Sequence, residues 1–172
     1  MKRTAILLLA ALLLCAIGCG TGAKDDPNAV FIDPNAVRGG EYGALYFEVN
    51  GVRFGIYDEA EPVLSALSEK SSFTRESCAF DKPDVFHLFD SFEIMTNEID
   101  GVDRITAITV KDDRVKTPQG LFIGMRETDA AAAFPALFEA EWNLVDGTAL
   151  LSVTVTDGVV RAIVYTPAVT DD

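Results

Sequence analysis

Four dipeptides limit what this chain can fold into: Asn50-Gly51, Asp100-Gly101, Asp146-Gly147 and Asp157-Gly158. A two-residue hairpin loop needs positive backbone φ angles, which Asn, Asp and Gly adopt with least strain. Such a pair between apolar runs therefore predicts two adjacent antiparallel strands. The flanking runs fit. Ala44 to Asn50 and Val52 to Tyr57 surround the first pair, and Phe92 to Thr96 and Arg104 to Val110 lie on either side of the second. Glu141 to Val145, Leu150 to Val155 and Val159 to Tyr165 are separated by the last two. Cys78 to Phe80 and Val85 to Phe89 read as further short strands. In Phe92-Glu93-Ile94-Met95-Thr96 the apolar residues Phe92 and Ile94 alternate with others, as in an antiparallel strand buried on one side.

Two helices are expected between the strands. Asp58 followed by Glu61 has capping-box spacing, Pro62 fits a first helical turn, and Ala60, Val63, Leu64 and Leu67 share one face, so a helix is predicted over about 59–69. In the second half Thr128 is the expected N-cap of a helix from Asp129 to Phe134, which Pro135 ends or kinks.

The chain also repeats itself. Gly51-Val52-Arg53-Phe54-Gly55-Ile56 is echoed 69 residues later by Gly120-Leu121-Phe122-Ile123-Gly124-Met125, and the run Asp103 to Val110 is echoed by Gly158 to Tyr165, with Ala107-Ile108 matching Ala162-Ile163. The expectation is an α+β fold made of two degenerate helix-plus-antiparallel-meander units, about 42–113 and 114–166, within one folded domain over 41–172. An amphipathic helix and a sheet with one apolar face bury each other, which predicts helices on one side of the sheet. The two meanders could join edge to edge or pack as a pseudo-symmetric pair; joining would hide an edge strand.

The first residues carry an address. Lys2 and Arg3 precede the apolar run Ile6 to Leu14, followed by Ala16-Ile17-Gly18-Cys19. This resembles the bacterial lipobox, with Ala16 in the place usually held by Leu, and it implies cleavage of residues 1–18 and a lipid on Cys19. Residues 19–40, rich in Gly, Asp, Asn and Pro, would form a flexible tether, and the protein would sit lipid-anchored on the outer face of the cell membrane. Loss of the leader would remove Cys15, lipid would occupy Cys19, and Cys78 would be left with no intramolecular disulfide partner, so a small buried apolar role is expected for it. The chain has 14 basic and 27 acidic residues and a formal net charge of −13. Such a surface repels phosphate, which argues against nucleic acid and anionic headgroups as partners.

No residue pattern demands catalysis. His87 is the sole histidine, so zinc motifs built on paired histidines are excluded, and no G-x-S-x-G elbow accompanies it. Glu98, Asp100 and Asp103 around Gly101 could be read as a calcium loop, but the spacing departs from the EF-hand pattern and turn chemistry accounts for them. Asp112 and Asp113 read the same way. The glycines form no phosphate cradle, so no cofactor is implied. The remaining candidates are aromatic: Tyr46, in a cluster with Tyr42, Phe47 and Tyr57, and Trp142 could anchor a protein partner.

Phe54-Gly55-Ile56 and Ile123-Gly124-Met125, each followed by a helix, resemble the unit of the SmpA/BamE lipoproteins, and a tandem pair of such units resembles the beta-lactamase inhibitor protein fold. Ser77-Cys78-Ala79-Phe80, Phe92 to Thr96 and Val115-Lys116-Thr117-Pro118-Gln119-Gly120 resemble uncharacterised lipoproteins of Clostridia-like Gram-positive bacteria. The second helix departs from the unit, with Ala130 to Ala133 followed by Phe134-Pro135. These resemblances imply a location and a fold. The expected function is a non-enzymatic module that binds a protein or envelope component. The alternatives are an accessory subunit of an envelope assembly and, less favoured, a small hydrolase or metal-dependent enzyme.

Overall fold

A computed structural model describes residues 45–168. The leader, Cys19, the tether and Tyr42 lie outside the described residues. Antiparallel strands dominate. β1 (Phe47–Val49) and β2 (Val52–Phe54) form a small two-stranded sheet. β3 (Ser71–Arg75), β4 (Asp84–Leu88), β5 (Phe92–Ile99), β6 (Val102–Val110), β7 (Asn143–Asp146), β8 (Ala149–Thr156) and β9 (Val159–Pro167) form one seven-stranded sheet in the order β3-β4-β5-β6-β9-β8-β7. Three short helices complete the fold: α1 (Ala60–Ala66), α2 (Glu127–Ala133) and α3 (Pro135–Glu139). The fold is thus mainly antiparallel sheet with few helical residues. The meanders join edge to edge through β6 and β9, where Ile108 faces Tyr165 and Val110 faces Ile163.

Turn chemistry explains the hairpins. Asn50-Gly51, Asp100-Gly101 and Asp157-Gly158 all have positive φ at both residues, the requirement of a type I′ loop. Asp146-Gly147 works differently. Asp146 pairs with Ala149 as the last strand residue, and the loop is Gly147-Thr148 with positive φ only at Gly147, the pattern of a type II′ loop.

The two meanders share irregular features. β5 and β6 are out of step between Met95 and Thr96, with Thr106 as the extra residue; β8 and β9 are out of step between Thr154 and Val155, with Arg161 extra. Just past each bulge the segment entering a helix bonds to the meander's last strand. Tyr57 N–H donates to the Ile105 carbonyl at 2.7 Å and Ile105 N–H to Asp58 at 2.9 Å; Gly124 N–H donates to Val160 at 2.8 Å and Val160 N–H to Met125 at 2.9 Å. Glu59 bridges to Arg104 and Arg126 to Val159. Tyr57 and Gly124 hold matching positions, with φ of 71° and 91°. The geometric match therefore sets Gly124 against Tyr57. It does not set it against Gly55, as the sequence echo does, because the backbone requirement is a positive φ and the first unit meets it with a tyrosine.

Several local expectations are corrected. Asp58 makes no capping bond to α1; its carboxylate accepts Gly55 N–H at 2.9 Å and holds the turn before the helix. α2 starts after Arg126, with no cap from Thr128. Pro135 opens α3, a helix the sequence reading did not foresee, since a proline at a first helical position lacks only an N–H the helix does not use. Cys78 to Phe80 is not a strand: the Ser77 hydroxyl accepts N–H bonds from Ala79 and Phe80 at 3.2 and 3.1 Å and curls the chain into a turn. The strand in this region is β3, whose polar sequence gave no apolar alternation. Cys78 is exposed, not buried, and it is disulfide-bonded, against the expectation of a lone thiol; its partner lies outside the described residues.

One buried cluster unites the fold. It takes Ile94, Ile105, Ile108, Val110, Leu151, Val153, Val160, Ile163 and Tyr165 from the large sheet, Ala60, Val63 and Leu67 from α1 and the residue following it, Ala130 from α2 and Leu137 from α3. Each large side chain buried there contributes about 1.5–3 kcal/mol relative to exposure. Phe47 fastens the small hairpin to the large sheet. It is fully buried, and its ring centroid lies 5.6 Å from Phe54, 5.5 Å from Phe92 and 6.0 Å from Tyr165.

Candidate functional site

Residues directly opposite each other in an antiparallel sheet point to the same face, so the register traces rows across the large sheet. One row crosses all seven strands: Ser71, Leu88, Glu93, Thr109, Val164, Ser152 and Asn143. Two positions along each strand, on the same face, lie Phe73, Phe86, Met95 and Ala107 in β3 to β6 and Thr166, Leu150 and Val145 in β9, β8 and β7. None of the apolar members of these rows belongs to the cluster that contains the helix residues. With strands about 4.8 Å apart, the rows span roughly 30 Å.

Their chemistry is unlike that of the chain as a whole. Against a net charge of −13, the two rows contain a single ionisable carboxylate, Glu93, and Lys111 neutralises it at 2.8 Å. The rest are Leu, Val, Phe, Met and Ala side chains interspersed with Ser, Thr and Asn. Phe73 and Val145, at opposite ends of one row, are 48% and 57% exposed. Phe73 lies flat on Phe86, centroids 4.8 Å apart, and the Arg75 guanidinium sits over the Phe86 ring at 4.7 Å. At one margin Arg75 pairs in register with Asp84. The Asp84 carboxylate, itself buried, accepts an amide bond from buried Asn97 at 3.0 Å, and the same amide donates to the Lys82 carbonyl at 2.8 Å. Depletion of charged side chains is the compositional mark of protein-binding surfaces.

The residues singled out from sequence are dispersed. Tyr46 lies beside β1, half-buried beneath the Arg53 guanidinium at 4.2 Å, and Arg53 also holds Glu48. Trp142 precedes β7, packs against the core and meets the exposed Phe138 ring edge-on at 5.6 Å. Neither belongs to the two rows. Cys19 lies outside the described residues. His87 lies between two side chains: Nε2 is hydrogen-bonded with the Thr96 hydroxyl at 3.1 Å, while the buried Nδ1 lies 3.4 Å from the Glu69 carboxylate without making a hydrogen bond. This carboxylate–imidazole–hydroxyl order resembles a nucleophilic relay. Thr96, however, is 2% exposed, so its hydroxyl cannot reach a substrate in this arrangement.

Glu98 and Asp103 face each other across β5 and β6, with Asp100 in the turn between, while Lys82 lies 3.8 Å from Glu98. His87 pairs with Ile94, four residues along β5 and so about 13 Å from Glu98. Glu98, Asp103 and His87 therefore do not converge, and among the described residues no group of three or more His, Cys, Asp or Glu is placed to hold a metal ion. Asp112 serves a local clamp: Arg114 donates from its side chain at 2.9 Å and its backbone at 3.0 Å, and also reaches the Asp90 carbonyl at 2.8 Å. The Arg114 hydrogen bond holds the Asp112 carboxyl down at about 2. A shallow open groove lined by Val52, Arg53, Asp58, Glu59, Pro62 and Val63 brings no catalytic set together.

Phe86, Leu88 and Met95 were legible as alternating strand residues. Val145 lay in the expected strand Glu141 to Val145, but Phe73 was not legible, because it lies on a short, polar edge strand. No helix among the described residues is long and apolar enough to cross a membrane. The chain matches no family model, no curated protein and no solved structure.

Proposed function

We propose that this chain is an exported lipoprotein, anchored through Cys19 to the outer face of the cell membrane, whose folded part binds a protein through the charge-poor face of its seven-stranded sheet. The single observation that carries the binding role is that face: roughly 30 Å of apolar and hydroxyl side chains with one neutralised carboxylate, on a chain of net charge −13. With α1, α2 and α3 read as covering the other side, this side is left uncovered among the described residues. The matched bulges, entry bonds and left-handed residues Tyr57 and Gly124 support descent of the two meanders from one duplicated unit. The lipid anchor rests on Lys2, Arg3, the apolar run and Cys19, and it requires that the processed chain lack the Cys78 disulfide, because cleavage removes Cys15 and lipid takes the Cys19 sulfur. A non-enzymatic role is favoured by the inaccessible Thr96 and by the separation of His87 from Glu98 and Asp103.

The experiment is capture from native membranes after chemical crosslinking, with the wild-type chain beside Met95→Lys and Val164→Lys. Both positions lie on the charge-poor face outside the core cluster, so folding measured by thermal melting should persist. A stoichiometric partner recovered with wild type and lost with both variants is expected. A partner retained equally by both would refute this binding surface.

A further inference from the structure

Among the described residues β3 and β7 are the two edges of the large sheet, and they are guarded unequally. β7 is four residues long, ends in Asp146 and follows closely on Glu141, and a short, acidic strand is a poor template for another chain. β3, Ser71-Ser72-Phe73-Thr74-Arg75, has no proline and no bulge, and all five of its residues are exposed. Its one charge is folded back, with the Arg75 guanidinium over Phe86 of its own sheet.

We propose that β3 is a dimerisation edge, on which a second copy of this chain pairs antiparallel about a two-fold axis through Phe73. The segment is complementary to itself. In that register Phe73 meets its own counterpart, Ser72 meets Thr74, Ser71 meets Arg75, and Lys70 meets Glu76, each of the last three pairings occurring twice. Charge does not oppose pairing at this edge: copies of net charge −13 repel, but residues 69–76 carry Glu69, Lys70, Arg75 and Glu76 and are neutral as a segment. Phe73 already lies parallel to Phe86, with 4° between the ring planes. A second Phe73 alongside extends the Phe86–Phe73 row into the other copy and joins the two charge-poor faces into one. Because one short strand supplies the contact, the dimer is weak and concentration-dependent.

Sedimentation equilibrium of the full chain, with reductant and in density-matched non-ionic detergent, tests this. A reversible monomer–dimer equilibrium is expected. Lys70→Glu and Glu76→Lys, each placing like charges opposite one another twice, should weaken it about tenfold, and the double exchange should return it to near the wild-type value. Phe73→Glu should abolish the dimer. Lys70 also lies 3.5 Å from Asp90, so Glu76→Lys, which leaves that contact in place, keeps the test independent of it. A monomer at about 1 mM, species larger than a dimer, a dimer indifferent to both charge reversals, or a double exchange weaker than either single change would each overturn the proposal.

Discussion

Truncation of Ile108 to alanine tests whether the two meanders are one folding unit. Ile108 is fully buried in β6, opposite Ile94 on one side and Tyr165 of β9 on the other, so it lies on the seam where the first meander meets the second. Removing its outer carbons from a site flanked by Ile105, Ile163 and Tyr165, all at most 1% exposed, forfeits their transfer free energy and leaves a void that a continuous sheet cannot close. Large-to-small changes at such sites cost about 2–5 kcal/mol. A loss near 3 kcal/mol corresponds to a fall in Tm of roughly 10 °C for a domain of this size. Urea unfolding followed by both circular dichroism and Trp142 fluorescence should show one coincident transition, shifted as a whole. Thr109→Ala, the next residue but on the opposite face, should change stability by no more than about 0.5 kcal/mol. Two separated transitions in Ile108→Ala, or a loss below about 1 kcal/mol, would refute the reasoning that the joined sheet and its core are cooperative.

Asn97→Ala should cost about 2–3 kcal/mol in urea unfolding, because the buried Asp84 carboxylate loses its amide donor and the Lys82 carbonyl is orphaned; a cost under about 0.5 kcal/mol would mean water replaces the amide without penalty. Asp112, held at about 2 by Arg114, binds its proton less readily folded than unfolded, so its contribution is present above about 4 and disappears as the pH falls through about 2. Asp112→Asn should accordingly lower Tm at neutral pH and match wild type below pH of about 2, and an equal difference at both would contradict the clamp. Mass measurement of the N-terminal peptide from a lipoprotein-processing host, under non-reducing conditions, should find Cys19 at the new N-terminus carrying diacylglycerol. A sulfur in that thioether cannot also bridge to Cys78, so a Cys19–Cys78 disulfide peptide would overturn the anchor.

The turn pairs made the hairpins legible because their chemistry is local: three of the four loops need nothing beyond Asn or Asp followed by Gly. The alternation of Phe92 to Thr96 was equally plain, though β5 runs three residues further, to Ile99. What escaped the sequence depended on distant partners. β3 has no apolar alternation and exists because β4 pairs with it, and α3 hides behind a proline that ordinarily ends helices. The equivalence of Tyr57 and Gly124 is visible only through their hydrogen bonds to Ile105 and Val160, since the backbone angle they share leaves no shared residue type. The candidate surface was half legible. Phe86, Leu88 and Met95 could be assigned to strands, but that they align with Val164 and Leu150 follows from the β6–β9 junction, which nothing local encodes.

The most direct test of the charge-poor face as a binding surface is site-specific photo-crosslinking in the native membrane, with the reactive side chain placed in turn at Val164, at Met95 and, on α2, at Thr128. The account predicts a discrete adduct from Val164 and Met95 and none from Thr128. An adduct from Thr128 alone would contradict it.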